Sequence, residues 1–229
     1  MNKAVANMDQ ITHKPVLLKE SVDFLRPMED GIYVDATVGL GGHTRHMLEK
    51  SNYKSRIIAL DVDEDAIAIT GQRLSRYKDQ VQLVNKNFSD IDSAVLDLGI
   101  DEVDGILADL GMSSYQLDQS KRGFSFQNNE PLDMRMDSTL HSTAFDLLNE
   151  MTAEEIDTVL REYGEESFSK KISKSIVNTR KEKPLQTTKE LAALIFDSIP
   201  RKFHPKKIHP ATKSFQALRI AVNNELENL

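Results

Sequence analysis

Asp35-Ala-Thr-Val-Gly39-Leu-Gly41-Gly42-His43 is the stretch that decides the fold. It follows residues 31–36, which read as a short buried strand ending in an acid, and leads into residues 43–50, which read as a helix. Glycines at such a junction let a ligand approach the backbone, and the helix N-terminus offers free N–H groups. Working outward, the pattern recurs. Residues 56–61 form a second apolar strand ending in Asp61, and residues 64–77 carry helical spacing through Ala66, Ile67, Ile69 and Leu74. Residues 81–84 read as a third strand, 91–98 as a short helix, and 104–109 as a fourth strand ending in Asp109. Strands alternating with helices predict a parallel α/β sheet. Right-handed crossovers then bring every strand's C-terminal end to one edge, where ligands of such sheets bind. Asp35, Asp61 and Asp109 are expected at that edge.

Two ligand classes suit a glycine turn in this position. A dinucleotide site asks for G-x-G-x-x-G, and counting from Gly39 places Thr44 where the third glycine belongs. A nicotinamide enzyme is therefore disfavoured. S-adenosylmethionine has no pyrophosphate and asks less of the turn. Asp61, twenty residues after Gly41, is placed to accept both hydroxyls of an unphosphorylated ribose. A plain strand–helix turn without a ligand is the alternative.

The second half reads differently. Residues 112–135 lack a clean period and are rich in Ser, Gln, Asn, Asp and Gly; a loop this long in a compact domain is more often functional than structural. From Thr143 onward the spacing is helical, with a capping-box start at Thr152–Glu155 and a near match at Thr187–Glu190. Residues 201–210 form a basic linker containing Pro and His, and residues 211–229 one more amphipathic helix.

Composition narrows the chemistry. The 229 residues include no cysteine, which excludes a disulfide framework, a thiolate zinc site and a cysteine nucleophile. No apolar run is long enough to span a bilayer and no secretory h-region opens the chain, so a soluble cytoplasmic protein without membrane contact is expected. The net charge of −7 hides an asymmetry: residues 169–219 carry 13 Lys/Arg against 3 Asp/Glu, and the rest carries 16 against 33. A basic block on an acidic chain is the footprint of a polyanion contact, with a solvated helical face as the alternative.

Longer segments carry a resemblance. They are His13–Glu20, Asp35–Thr44, Asp61-Val-Asp63, Asn87-Phe-Ser-Asp90, Asp109–Asp118, Arg122–Gln127, Pro131–Asp137, Tyr163–Glu166 and Phe215–Glu225. On these the chain resembles, over nearly its whole length, the bacterial ribosomal RNA small subunit methyltransferase H family, also called MraW. The resemblance implies a Rossmann-like, class I S-adenosylmethionine-dependent methyltransferase fold. Residues 1–137 and 210–229 would form the cofactor-binding domain, and residues 138–209 an inserted helical, basic domain facing RNA. It implies methyl transfer to N4 of a cytidine in 16S rRNA near the decoding centre of the small ribosomal subunit, with S-adenosylmethionine as cofactor and that rRNA as partner. A homodimer is left open.

By the same resemblance Gly41, Gly42 and His43 line the cofactor site, Asp61 holds the ribose, Phe88 packs on the adenine, and Asp109 and Gln116 complete the pocket near the methyl donor. Residues 122–137 would lie over the reacting centre. Each has a plain alternative: His43 as a helix cap, Phe88 as core, Asp109 as an N-cap, Arg122 and Arg135 as surface ion pairs, Met134 and Met136 as gap-fillers. Tyr115 stands where the family usually has proline, which removes a fixed φ. Reaction chemistry fits. A cytosine N4 amine is a weak nucleophile that must be oriented and must lose a proton, and Asp109 is the expected catalytic carboxylate. Methylation at cytosine C5 commonly needs a cysteine adduct, so its absence favours nitrogen. No metal is expected, because His43, His204 and His209 lack ligand spacing with a carboxylate. The family's later strands, with a Gly-Gly turn and a Ser-Phe-His-Ser-Leu-Glu-Asp motif, have no counterpart before Leu229, which leaves the fourth strand as an open edge. A second reading follows: a truncated, non-catalytic module that binds S-adenosylmethionine and RNA.

Overall fold

The computed structural model describes residues 15–229. The first part of the His13–Glu20 segment, His13 and Lys14, and the N-terminal stretch examined for a secretory signal lie outside the described residues. The chain divides into two compact units, Met1–Ser114 and Tyr115–Leu229.

In the first unit the order is α1 (Leu18–Leu25), β1 (Ile32–Asp35), α2 (Gly42–Lys50), β2 (Arg56–Asp61), α3 (Glu64–Arg73), β3 (Val81–Asn85), α4 (Ile91–Leu96) and β4 (Gly105–Leu107). The strands lie in the order β3-β2-β1-β4, and every pair is parallel. This is the expected Rossmann-like α/β sheet. The chain steps outward from β1 through β2 to β3, then returns to the other side of β1 for β4. The topological switch point therefore falls between β1 and β4, which is where such sheets open a crevice at their C-terminal edge.

Period-two alternation sorts the strands onto two cores. Tyr33, Ile57, Ala59, Val81 and Leu107 join Val22, Met47, Leu48 and Leu74 on one face. Val34, Ile58 and Leu60 join Ala94, Val95 and Ile100 on the other. Ile57 to Leu60 are all fully buried, as expected of a strand covered on both faces. Among the described residues β4 is an edge strand, and its Ile106 is half exposed.

Several boundaries differ from the sequence reading. The helix expected over 64–77 closes at Arg73, and a 3-10 turn, Ser75–Tyr77, takes the remainder. Helix α1 has no counterpart in that reading. Its Leu18, Val22 and Leu25 hold the i, i+4, i+7 spacing of an apolar face, with Val22 alone of the eight residues fully buried.

The second unit is helical: α5 (Ser114–Asp118, which spans the boundary), α6 (Ala144–Glu150), α7 (Ala153–Glu162), α8 (Ser169–Arg180), α9 (Thr188–Ser198) and α10 (Thr212–Asn223). Three of these helices start at complete capping boxes, Thr143 with Asp146, Thr152 with Glu155, and Thr187 with Glu190. Helix α10 stops at Asn223 rather than continuing to Leu229, because Asn224 takes a left-handed φ of 48° that ends the ladder. Residues 115–137 and α10 pack with the helical segment. Asn223 Nδ2 donates to the Met134 carbonyl at 2.8 Å, and its Oδ1 accepts from the Met136 N–H at 2.7 Å. Helix α10 also lies against α6 and α7.

Asp35 is the most deeply placed charge of the sheet. Fully buried, its Oδ2 accepts from Thr44 Oγ1 at 2.6 Å, which ties β1 to α2. Thr44→Val removes that donor inside the core. The expected result is a loss of about 1–3 kcal/mol of stability, read from the urea midpoint; an unchanged midpoint would show that the bond does not support the fold.

Candidate active site

The turn after β1 is held by side chains rather than by a glycine fingerprint. Gly39 and Gly41 have φ of 49° and 78°, a region where a Cβ is strained. Gly39 N–H donates to Asp61 Oδ2 at 2.8 Å, and Gly39 C=O accepts from Thr70 Oγ1 at 2.7 Å. A Cβ on Gly41 would come within 2.9 Å of Thr70, and one on Gly42 within 2.3 Å of Pro15, so both glycines also serve close packing. A Cβ on Gly39 would meet Ser113 at 3.8 Å and the Thr37 carbonyl at 4.0 Å, ordinary contacts, so it is the positive φ and not crowding that asks for glycine there.

The strand-end acids have different fates. Asp35 ends β1 at the C-terminal edge of the sheet, as the sequence predicts, but its carboxylate is fully buried on the Thr37 N–H and the Thr44 hydroxyl and is closed to a ligand. Burial pushes its carboxyl up, against the pull of the Thr44 hydroxyl. Asp61 is half-buried at the end of β2, and Oδ1 accepts from the Asp63 N–H at 3.0 Å. Burial raises its carboxyl to about 6, opposed by the N–H groups of Asp63 and Gly39. A carboxylate offers about four lone-pair positions, so two remain after these bonds. Asp109 lies two residues past β4 with its side chain 44% exposed. Its N–H donates to Thr37 Oγ1 at 2.7 Å across the switch point.

His43, in the first turn of α2, is buried and does not cap the helix. Neither ring nitrogen has a hydrogen-bond partner, although Nε2 lies 3.5 Å from Asp109 Oδ2. At that separation the pair is a polar contact and not a formed hydrogen bond. Residues 66 apart in sequence thus meet where β1 and β4 diverge. Among the described residues, no three His, Asp or Glu side chains group as a metal site.

Phe88 sits in a 3-10 turn beyond β3, partly buried against the core that holds Ile58 and Leu60. The structure thus brings Gly41, Gly42, His43, Asp61, Asp109 and Phe88 to the C-terminal side of one sheet. Gln116 is buried on α5 and falls in the second unit. Arg122 donates to the carbonyls of Arg135 and Met136 at 3.1 and 3.0 Å, and Arg135 forks onto Asp133 at 2.7 and 2.9 Å. Met134 and Met136 are buried.

Sequence reasoning missed the threonines. Thr37, Thr44 and Thr70 hold Asp109, Asp35 and Gly39 respectively, and only the Asp35-x-Thr37 turn spacing could have flagged one of them.

The Asp61 shift sets a pH signature. Its folded-state value lies above the unfolded 3.8, so the unfolded chain releases the proton first as pH rises, and this group's contribution to stability falls between about pH 4 and about pH 7. Wild type should therefore lose about 2–3 kcal/mol relative to Asp61→Asn over that range, followed by denaturant titration. A gap between the two proteins that stays constant with pH would contradict the raised value.

Comparison with known proteins places this geometry. A family model described as the MraW methylase family matches residues 10–229. Ribosomal RNA small subunit methyltransferase H of Caldicellulosiruptor bescii is 49% identical over 218 residues, covering 95% of this chain and 70% of that protein. The proteins of the same name from Desulfotalea psychrophila and Clostridium botulinum are 48% and 46% identical, covering 95% and 96% of this chain and 74% and 71% of theirs. With a family match spanning the sheet, the glycine turn and the helical unit, the chain belongs to the MraW methylase family.

Proposed function

We propose that the chain transfers a methyl group from S-adenosylmethionine to N4 of a cytidine in 16S rRNA, near the decoding centre of the small ribosomal subunit. The observation that carries this reading is the meeting of His43 and Asp109 at the switch point, beside a glycine turn backed by Asp61. The names of the similar proteins support the rRNA substrate.

The residues fit the cofactor. Asp61 keeps spare acceptor positions for a ribose diol at the edge of β2, and Phe88 offers a half-buried ring beyond β3 for an adenine. Gly39 carries no close contact at the turn, and Gly42 and His43 begin α2 behind Gly41 at its N-cap, with no side-chain cap bond there. Gln116 is assigned to the same pocket on family resemblance alone. When bound, the cofactor supplies an electrophilic methyl on sulfonium.

Everything else falls to the chain. The exocyclic amine of cytosine has its lone pair drawn into the ring, so it gains reactivity only when held in line and relieved of a proton. Asp109 is the group for this, a carboxylate that accepts from the amine and takes its proton as the bond to carbon forms. Thr37 fixes the Asp109 backbone, and the buried His43 ring stands behind its carboxylate. The target base must leave its stack to reach such a recess. Residues 138–209, which hold most of the basic block, are assigned to the RNA, where lysines contact phosphate without reading sequence.

The test is transfer of labelled methyl from S-adenosylmethionine to unmodified small subunits, with mapping of the product. Label on N4 of one cytidine is expected, and label on C5 or on ribose would overturn the assignment. Asp109→Asn should slow transfer about 10²–10⁴-fold, the usual worth of a positioned acid–base group, while the protein still binds small subunits. A rate within threefold of wild type would remove Asp109 from the chemistry.

A further inference from the structure

The linker between α9 and α10 carries Arg201, Lys202, Phe203, Lys206 and Lys207, all exposed. Its histidines anchor it. The His204 ring lies 4.4 Å from Phe196 and its Nε2 is 2.8 Å from the Ile199 carbonyl, while His209 sits 4.8 Å from Phe126 and accepts from the Ala211 N–H through Nδ1. With these rings fixed to the helical unit, the linker presents the residues between them outward.

Phe203 is the aromatic among them. It is 54% exposed, although a phenyl ring in a loop gains by burial and the rings of Phe126 and Phe196 both pack on His209 of the same linker. Instead its ring rests at 5.3 Å on Phe168, the residue that begins α8, and the Lys202 ammonium lies 4.9 Å from its centroid. Lys170 and Lys171 follow Phe168 in the first turn of α8 and are exposed.

Among the described residues these cations form no ion pair. In the first unit Lys50, Lys54 and Lys86 pair with Asp23, Glu29 and Asp97. Among the described residues no carboxylate lies within ion-pair distance of Lys170, Lys171, Lys202, Lys206 or Lys207. Unpaired lysines around a bare ring repel one another unless an anion joins them. A partner that brings flat apolar rings on a polyanionic chain satisfies both features, and single-stranded nucleic acid is that partner. A duplex offers phosphates but keeps its base faces stacked.

We propose that Phe203, set among Lys202, Lys206, Lys207 and the first-turn lysines of α8, is a platform on which an unpaired base of RNA stacks while those lysines hold the flanking phosphates. The proposal rests on the rRNA reading above and adds to it a residue that grips the strand outside the methyl-transfer centre.

The sequence holds no tryptophan, so Phe203→Trp in the full chain gives a single indole at the platform. Its emission should be quenched by a short single-stranded RNA, and little by the same sequence as a duplex or by heparin, which has charge but no bases. Phe203→Ala should weaken single-strand binding about tenfold, in line with the usual worth of one base–aromatic stack, and leave duplex binding unchanged. Lys206→Glu with Lys207→Glu should weaken all three ligands and reduce the salt dependence. If wild type binds RNA with its ordinary salt slope but the indole is not quenched, or if heparin quenches it equally, the platform is overturned and the rRNA reading stands. If wild type binds neither RNA form, both fail together.

Discussion

The peptide group of Gly39 is gripped from both sides, its N–H by the Asp61 carboxylate and its carbonyl by the Thr70 hydroxyl. Everything at the candidate site depends on that grip. It ties the turn after β1 to the end of β2 and to α3 at once. The turn therefore keeps its left-handed glycines through bonds made within the protein. A loop held this way leaves no close contact on Gly39 and points the start of α2 at the sheet edge. The arrangement makes Asp61 structural and available together: it spends two acceptor positions on the protein and keeps two.

The cost shows in the carboxylates. Asp35 and Asp61 are both pushed up by burial, which means the fold holds charge where water reaches poorly. For Asp35 the compensation is internal, through Thr44, and its role is to pin α2. For Asp61 the two N–H groups offset burial only in part, and two acceptor positions stay unused within the protein. Asp109 is nearly half exposed, and its position is set through its backbone by Thr37. Three acids at or just past strand ends thus differ: one is buried on Thr44, one holds the Gly39 turn, and one lies at the surface beside His43.

The helical unit solves a different problem, which is to hold the irregular stretch before α6. Arg122 and Arg135 fasten it through backbone carbonyls and Asp133, and Asn223 on α10 closes it with both ends of one amide. Such buried amides specify one arrangement because a shifted partner would strand a donor and an acceptor together. The basic linker between α9 and α10 is fixed by ring contacts of His204 and His209, and among the described residues its Lys202, Lys206 and Lys207 form no ion pair.

By itself the sequence determined the alternation of strands and helices, the six residues of β2, and the capped starts of α7 and α9. These follow from period-two and 3.6-residue patterns and from contacts three residues apart, all local. Helix α1 carries the Leu18–Val22–Leu25 spacing over only eight residues, and the left-handed stop at Asn224 rests on a single residue, so neither was read from the sequence. The glycine turn and its acids were recognisable as a site, but not which acid would face it. Asp35, Asp61 and Asp109 look alike as strand endings, and only the tertiary structure decided that the first meets Thr44 in the core, the second grips Gly39, and the third comes within reach of His43. The physical reason is that a carboxylate's direction is set by the donors around it, and those donors arrive from segments that only folding brings together.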